Sequence, residues 1–315
     1  MNTVPPVGTR IVAALRSTRP IWLLLGVVFL VHLSVAWVSR DGLIQDDAES
    51  YVVLARNLAA GHGYVFEPGR APTSWRAPGY PALLAIVFWL TNGSLDAARV
   101  ASACLWVLSA LIAYALGRGL VGERPALVAA ALVGLSPELV GMTGLLWSET
   151  LFVTLFLGSV LAIARWHGQR PSWGATIGTG LLIGAAVLTR STAMVLVPVL
   201  WFTALTSPHR SALVRRASAA TVAGLLVVGS WTIRNSLEHG RFVLVESNVG
   251  FNLYLGNSPD TPMPFAWKKA SLLEGDEQYQ RIVRGHSNES QSAPLAKAAL
   301  EHMREHPGRT ALLAV

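Results

Sequence analysis

The sequence predicts an all-α fold, a polytopic bundle of transmembrane helices with extracytoplasmic loops and interfacial helices, on three observations. Charged residues fill only 14% of 315 positions and apolar ones 52%, against about 25% and about 45 to 50% in an ordinary soluble domain. The apolar residues gather into runs close to the roughly 20 that a bilayer core requires. Eleven Trp and a mean hydropathy of +0.45 agree, because Trp collects where lipid meets water. The net charge of +7 does not point to nucleic acid, since much of the Lys and Arg lies between apolar runs rather than in one basic stripe. Cys104 is the single cysteine, which excludes an intrachain disulfide and a cysteine-based metal cluster.

The first run, residues 21 to 38, follows Arg10, Arg16 and Arg19 and reads as a spanning helix. A cleaved signal peptide competes, but the run is long for one and no small-residue cleavage site follows. Residues 45 to 64, QDDAESYVVLARNLAAGHGY, place Tyr51, Leu54, Ala55 and Leu58 at helical spacing, so a helix lies on the membrane or on its neighbours. PALLAIVFWL, 81 to 90, is too short to span and follows Pro78; it reads as an interfacial helix. Six more runs, near 97–116, 125–141, 149–165, 174–190, 191–206 and 217–233, bring the spans to about seven.

Residues 1–233 are thus expected to form a transmembrane module, the one in which chemistry is sought below, with a first outer loop at 39–96. Residues 234–309 form an extracytoplasmic region. It holds an amphipathic helix with Leu295, Ala299, Leu300 and Met303 on one face, stopped by His306, Pro307 and Gly308. Residues 310–315 begin a further apolar run, expected as the start of another, truncated span. The chain shows no internal repeat of fixed period.

Charge sets the expected topology. With the N-terminus cytoplasmic, Arg118 and Arg124, Arg165 and Arg170, and the group from His209 to Arg216 all fall inside, as the positive-inside rule requires. Residues 39–96, the turn near 142–148, the junction near 190 and the chain beyond 233 then face outside, with most carboxylates.

Chemistry is expected in that outer set. Asp46 and Glu49 match a capping box, the structural alternative to a catalytic role for either. Asp47 then takes the first helical position, where the helix dipole favours its ionised form and an ionised carboxylate can act as a base. Arg190 and Arg234 lie at outer helix ends, where the positive-inside rule gives no reason for them; Arg suits phosphate oxygens, and snorkelling toward headgroups is the alternative. Glu138 and Glu149 flank the expected outer turn, where they could orient an acceptor or help to hold a divalent ion. His62 and Arg76 are weaker candidates, Arg76 serving equally well to anchor the turn from Pro78 to Pro81. His32 reads as structural.

In their order and topology these segments resemble the GT-C class of membrane glycosyltransferases, specifically glycosyltransferase family 39 with its protein mannosyltransferase and aminoarabinose transferase relatives. The resemblance is carried by Asp47 four residues before Tyr51, LARNLAAGHGY, RAPGYPALLA at 76–85, LWSETLF, LTRSTAMVLVP at 188–198 and WTIRNSLEHGRFVLVESNVGFNLYLGNSP at 231–259. It implies a polyprenyl-phosphate sugar donor, transfer to a protein, lipid or glycan acceptor outside the cytoplasmic membrane, and Asp47 as the catalytic carboxylate. Ala48 stands where some relatives carry a second acidic residue, which keeps Asp46 and Glu49 as candidates. Tyr51, Arg76, Glu149, Glu138, Asn248 and Asn252 are expected around the acceptor or cavity. The expected reaction is inverting displacement, with Arg190 and Arg234 on the donor phosphate and no certain cofactor. The alternatives are a transporter or flippase of a lipid-linked intermediate and a non-catalytic envelope-assembly subunit.

Overall fold

The structure is a computed structural model that describes residues 19–40, 47–166, 171–259 and 276–313. Among these the regular elements are helical, as expected. They are α1 (Arg19–Val38), α2 (Asp47–Ala59), α3 (Gly79–Thr91), α4 (Leu95–Val121), α5 (Glu123–Leu135), α6 (Pro137–Leu145), α7 (Glu149–Ala164), α8 (Trp173–Thr189), a 3₁₀ turn (Ser191–Val195), α9 (Leu196–Thr206), α10 (Arg210–His239), α11 (Val249–Asn257), α12 (Glu277–Val283), α13 (Ser292–Glu305) and α14 (Pro307–Leu313). The chain divides into two compact units, residues 1–72 with 77–233, and residues 73–76 with 234–315.

In the first unit α4 is the central element and packs against α1, α5 and α7. Ser94 starts it by accepting from Ala97 N–H, the usual service of an N-cap serine. The radial pattern is that of a helix bundle in lipid. Large apolar side chains such as Trp22, Leu23, Leu132 and Leu226 point outward, while small hydroxyls turn inward. Ser109 and Thr154, for example, share a hydrogen bond of 2.8 Å between α4 and α7. With no hydrophobic gain available between helices in lipid, such contacts and close backbone approach supply cohesion. The crossing of α8 and α10 shows the second device. A side chain at Gly180 would strike the Ala220 carbonyl, and one at Gly184 would meet Val227.

Pro20–Val38, Leu95–Val121 and Arg210–His239 are long and apolar enough to cross a membrane, and α5 with α6 would make a fourth span bent by 40°. The other expected spans appear as shorter apolar helices, Glu149–Ala164, Trp173–Thr189 and Ser191–Thr206. The run near 125–141 was expected to be continuous and is broken. Pro137 at the start of α6 has no N–H to give the preceding turn, and Ser136 is extended. His32 repairs the break. Its Nε2 donates to the Gly134 carbonyl at 2.9 Å, and its Nδ1 accepts from Thr143 Oγ1 at 2.5 Å, a tautomer fixed by the carbonyl, which can only accept. The ring also stacks on Trp106 at 5.8 Å.

In the second unit α11 packs against α13 so closely that a side chain at Gly250 would meet the Ser292 carbonyl. Tyr254, Leu255, Leu295 and Ala299 form its core. Leu300, expected on the buried face of α13, is 45% exposed; five residues past Leu295, it points about 140° away around the helix. α13 ends at His306 as expected, but Pro307 opens α14 rather than a loop, Pro being well suited to a first helical position.

Candidate functional site

In the first unit Asp47 and Glu49 lie exposed on the first described turn of α2. Asp46 lies outside the described residues. One turn beyond Asp47, Tyr51 is buried; its ring meets Tyr80 edge-on at 5.4 Å and its hydroxyl donates to Ser148 Oγ at 3.2 Å. Ser148 in turn reaches Glu149 Oε2 at 3.5 Å, the outer limit of a hydrogen bond. Glu149 Oε1 pairs with Arg190 Nη1. The structure therefore joins Tyr51, Glu149 and Arg190, three residues singled out separately in the sequence, through Ser148, which was not.

Local backbone explains the placement. Arg190 ends α8 in extended conformation, with its N–H donated to Ala186 O. The turn Pro78-Gly79 fits against this end, since a side chain at Gly79 would strike Thr189 Oγ1. The turn before Glu149 holds Leu146 at φ 54° with its side chain fully buried. That left-handed conformation disfavours any residue with a Cβ. Buried Arg99 on α4 donates to the Gly144 carbonyl at 3.4 Å and to Asp96 at 3.2 Å, so a cation caps the carbonyl end of α6. Arg99 was not among the residues expected at the site, although its spacing from Asp96 is that of a helical ion pair.

Glu138 does not flank the turn as expected. The break at Pro137 puts it on the first turn of α6, exposed, about 10 Å of helix rise before Leu145. His62 is exposed in the loop after α2. An apolar groove of about 640 Å³ between α8 and α10, lined by Ile177, Leu181, Ala223 and Leu226 among others, has Ser230 as its polar member.

The Glu149–Arg190 pair leaves Arg190 partly solvated, its side chain 41% exposed against 25% for Glu149. A guanidinium presents five donors in a planar fork, so a tetrahedral anion could be taken up beside the carboxylate or in its place. Among the described residues no three His, Cys, Asp or Glu side chains gather as metal ligands would.

The second unit holds the remaining candidates. Arg234 donates to the Thr73 carbonyl at 2.7 Å and to Asn235 Oδ1 at 3.0 Å. Asn235 is buried and donates to Val245 O. Thr73 Oγ1 donates to Glu289 Oε1 at 2.6 Å, and Ser247 N–H to Ser74 O at 2.8 Å. Arg76 is half-buried, Asn248 is buried at the head of α11, and Asn252 is exposed on it. Burial pushes the Tyr279 phenol above its ordinary pKa.

The family model described as dolichyl-phosphate-mannose-protein mannosyltransferase matches residues 75–233, about half of the chain. The chain belongs to this family. Membership makes it a membrane glycosyltransferase and accounts for the helical bundle with its candidate spans. Arg76, Glu138, Glu149 and Arg190 lie inside the stretch matched to the mannosyltransferase family, whereas Asp46, Asp47, Glu49, Tyr51, Arg234, Asn248 and Asn252 lie outside it. Among curated proteins none matches this chain.

Proposed function

We propose that the protein moves a sugar from a polyprenyl-phosphate donor to an acceptor hydroxyl at the extracytoplasmic face of the cytoplasmic membrane. The observation that carries this reading is the Tyr51–Ser148–Glu149–Arg190 chain, which sets a partly solvated guanidinium in the same unit as the exposed Asp47. The family description, which names a lipid-phosphate mannose donor, supports it.

In the proposed step the acceptor oxygen forms a bond to the anomeric carbon as the bond from that carbon to the phosphate oxygen breaks. Asp47 takes the hydroxyl proton, and the phosphate leaves with the bonding electron pair. Arg190 stabilises the charge that grows there, the electrostatic contribution that is usually the largest. Arg234 is a second candidate for phosphate and is tested separately. One base and direct displacement give inversion at the sugar, whereas retention would need a second carboxylate as nucleophile.

The test supplies radiolabelled polyprenyl-phosphate sugars to membranes with and without the full-length protein. Transfer that depends on the protein is expected, and Asp47→Asn should slow it by about 10² to 10⁴ while the folded protein is retained. Wild-type transfer by Asp47→Asn would remove Asp47 from the reaction. Arg190→Ala and Arg234→Ala are each expected to weaken donor use, and unchanged donor kinetics in both would remove the phosphate role.

A further inference from the structure

Arg216 on α10 carries a charge that no neighbouring carboxylate balances. Its guanidinium lies 3.6 Å from the centre of the Trp173 ring, at the start of α8. The side chain is half-buried, no carboxylate among the described residues pairs with it, and its Nη1 has no hydrogen-bond partner. An aromatic face holds a guanidinium by its flat side, so the N–H groups around its edge are left to other partners. Arg210 and Arg215 lie exposed at the same end of α10.

This cationic place is one end of the apolar groove between α8 and α10. Ile177 follows Trp173 by one turn and Ala219 follows Arg216 within one turn, and from there the groove runs past Leu181, Val222 and Leu226 to Ser230. Between Ala219 and Ser230 the helix rises about 16 Å. That is close to half of the roughly 30 Å hydrocarbon core of a bilayer, the depth of one leaflet. Spread over this length, a volume of about 640 Å³ makes a channel about 7 Å across, narrower than a helix with its side chains at about 10 to 12 Å. Its width and lining suit a hydrocarbon chain.

Position separates such a lipid from the sugar donor. Trp173 and Arg190 stand at opposite ends of α8, about 25 Å apart by helix rise, so a lipid with its phosphate beside Arg216 leaves Arg190 untouched. We propose that Arg216, Trp173 and the α8–α10 groove form a site for an anionic glycerophospholipid, with its phosphate against the guanidinium and an acyl chain along the groove. Charge selects the headgroup: an anionic one brings Arg216 a net negative charge, whereas in a zwitterionic one the headgroup's own cation offsets the phosphate. On the topology expected from the positive-inside rule the lipid belongs to the cytoplasmic leaflet, the one rich in anionic lipids that attract basic residues.

Thermal unfolding of the full-length protein in detergent tests the site, with phosphatidylglycerol, phosphatidylcholine of the same acyl chains, a polyprenyl phosphate or inorganic phosphate added. Phosphatidylglycerol is expected to raise the unfolding temperature by a few degrees, and phosphatidylcholine and inorganic phosphate by clearly less. Arg216→Gln should abolish the difference between the two phospholipids, and Arg216→Lys should keep part of it. Ala219→Phe, which fills the groove with Arg216 in place, should abolish both shifts. Equal shifts from the two phospholipids in the wild type, or selectivity for phosphatidylglycerol retained in either Arg216→Gln or Ala219→Phe, would overturn the site. Inorganic phosphate acting as well as phosphatidylglycerol would leave the groove without a part, a polyprenyl phosphate that displaces phosphatidylglycerol would give the groove to the donor, and no shift from any lipid would show the groove covered by protein; each of these overturns the proposal. If the variants do not fold, native mass spectrometry of the wild type decides, since preferential retention of phosphatidylglycerol over phosphatidylcholine supports the site and equal retention refutes it. None of these measurements involves sugar transfer, so failure of the transferase reading leaves the result unaffected.

Discussion

Glu149 and Arg190 can be separated experimentally because their pairing contributes little to stability. Both side chains are partly solvated, and such pairs contribute about 0 to 1 kcal/mol, so Glu149→Gln should leave the unfolding temperature within a few degrees of wild type. Its effect on donor use is expected to be large and opposite to that of Arg190→Ala. A carboxylate resting on the guanidinium competes with an incoming phosphate, so Glu149→Gln should lower the donor KM, while Arg190→Ala should raise it and reduce kcat. Steady-state kinetics with a polyprenyl-phosphate sugar read both, and parallel changes in the two variants would show that the carboxylate assists phosphate binding. Leu146 works in the other direction. Its left-handed backbone would be relieved by glycine, but its side chain is fully buried in the core cluster that also holds Tyr51 and Tyr80, and burying a leucine is worth about 1.5 to 3 kcal/mol. Leu146→Gly is therefore expected to be less stable than wild type in thermal unfolding, with packing outweighing strain.

Among the elements, the broken pair α5–α6 depends on a residue from a third helix. His32→Leu would leave the Gly134 carbonyl and the Thr143 hydroxyl buried without partners, at about 1 to 3 kcal/mol each. His32→Gln keeps a donor and an acceptor and should recover part of that loss in thermal unfolding in detergent. The α8–α10 crossing is a second sensitive point, since Gly180→Leu must push apart two backbones in contact and is expected to reduce folded yield sharply. These two features also mark what the sequence conveyed. The helix α2 was legible because the helical spacing from Tyr51 is a local signal. Glu149 and Arg190 were legible one at a time, as charges at helix ends. Their pairing was not, because 41 residues separate them and no periodicity links two helices. The break at Pro137 had a local signal that hydropathy does not register, and His32 looked structural without a partner that could be named from spacing. Leu300 was misplaced for a simpler reason, a helical stripe extended one position too far.

At the scale of the whole molecule the proposed reaction requires Asp47 on the side of the membrane opposite the arginine-rich connections. Cationic loops tend to stay in the cytoplasm, so Arg118 and Arg124 are expected inside and, one span earlier, Asp47 outside. The protein offers a clean way to check, because Cys104 is its single cysteine and can be replaced. In a Cys104→Ser background, Asp47→Cys should react in intact cells with a thiol reagent that cannot cross the membrane, since position 47 is exposed on the first turn of α2. Arg124→Cys, exposed near the start of α5, should react only after the cells are opened. The reverse labelling would place the carboxylate in the cytoplasm and remove the outer-face reaction together with every role assigned from it. Labelling of both positions in intact cells would mean that α4 does not separate them, and the alternation of charge from which the topology was built would have another origin.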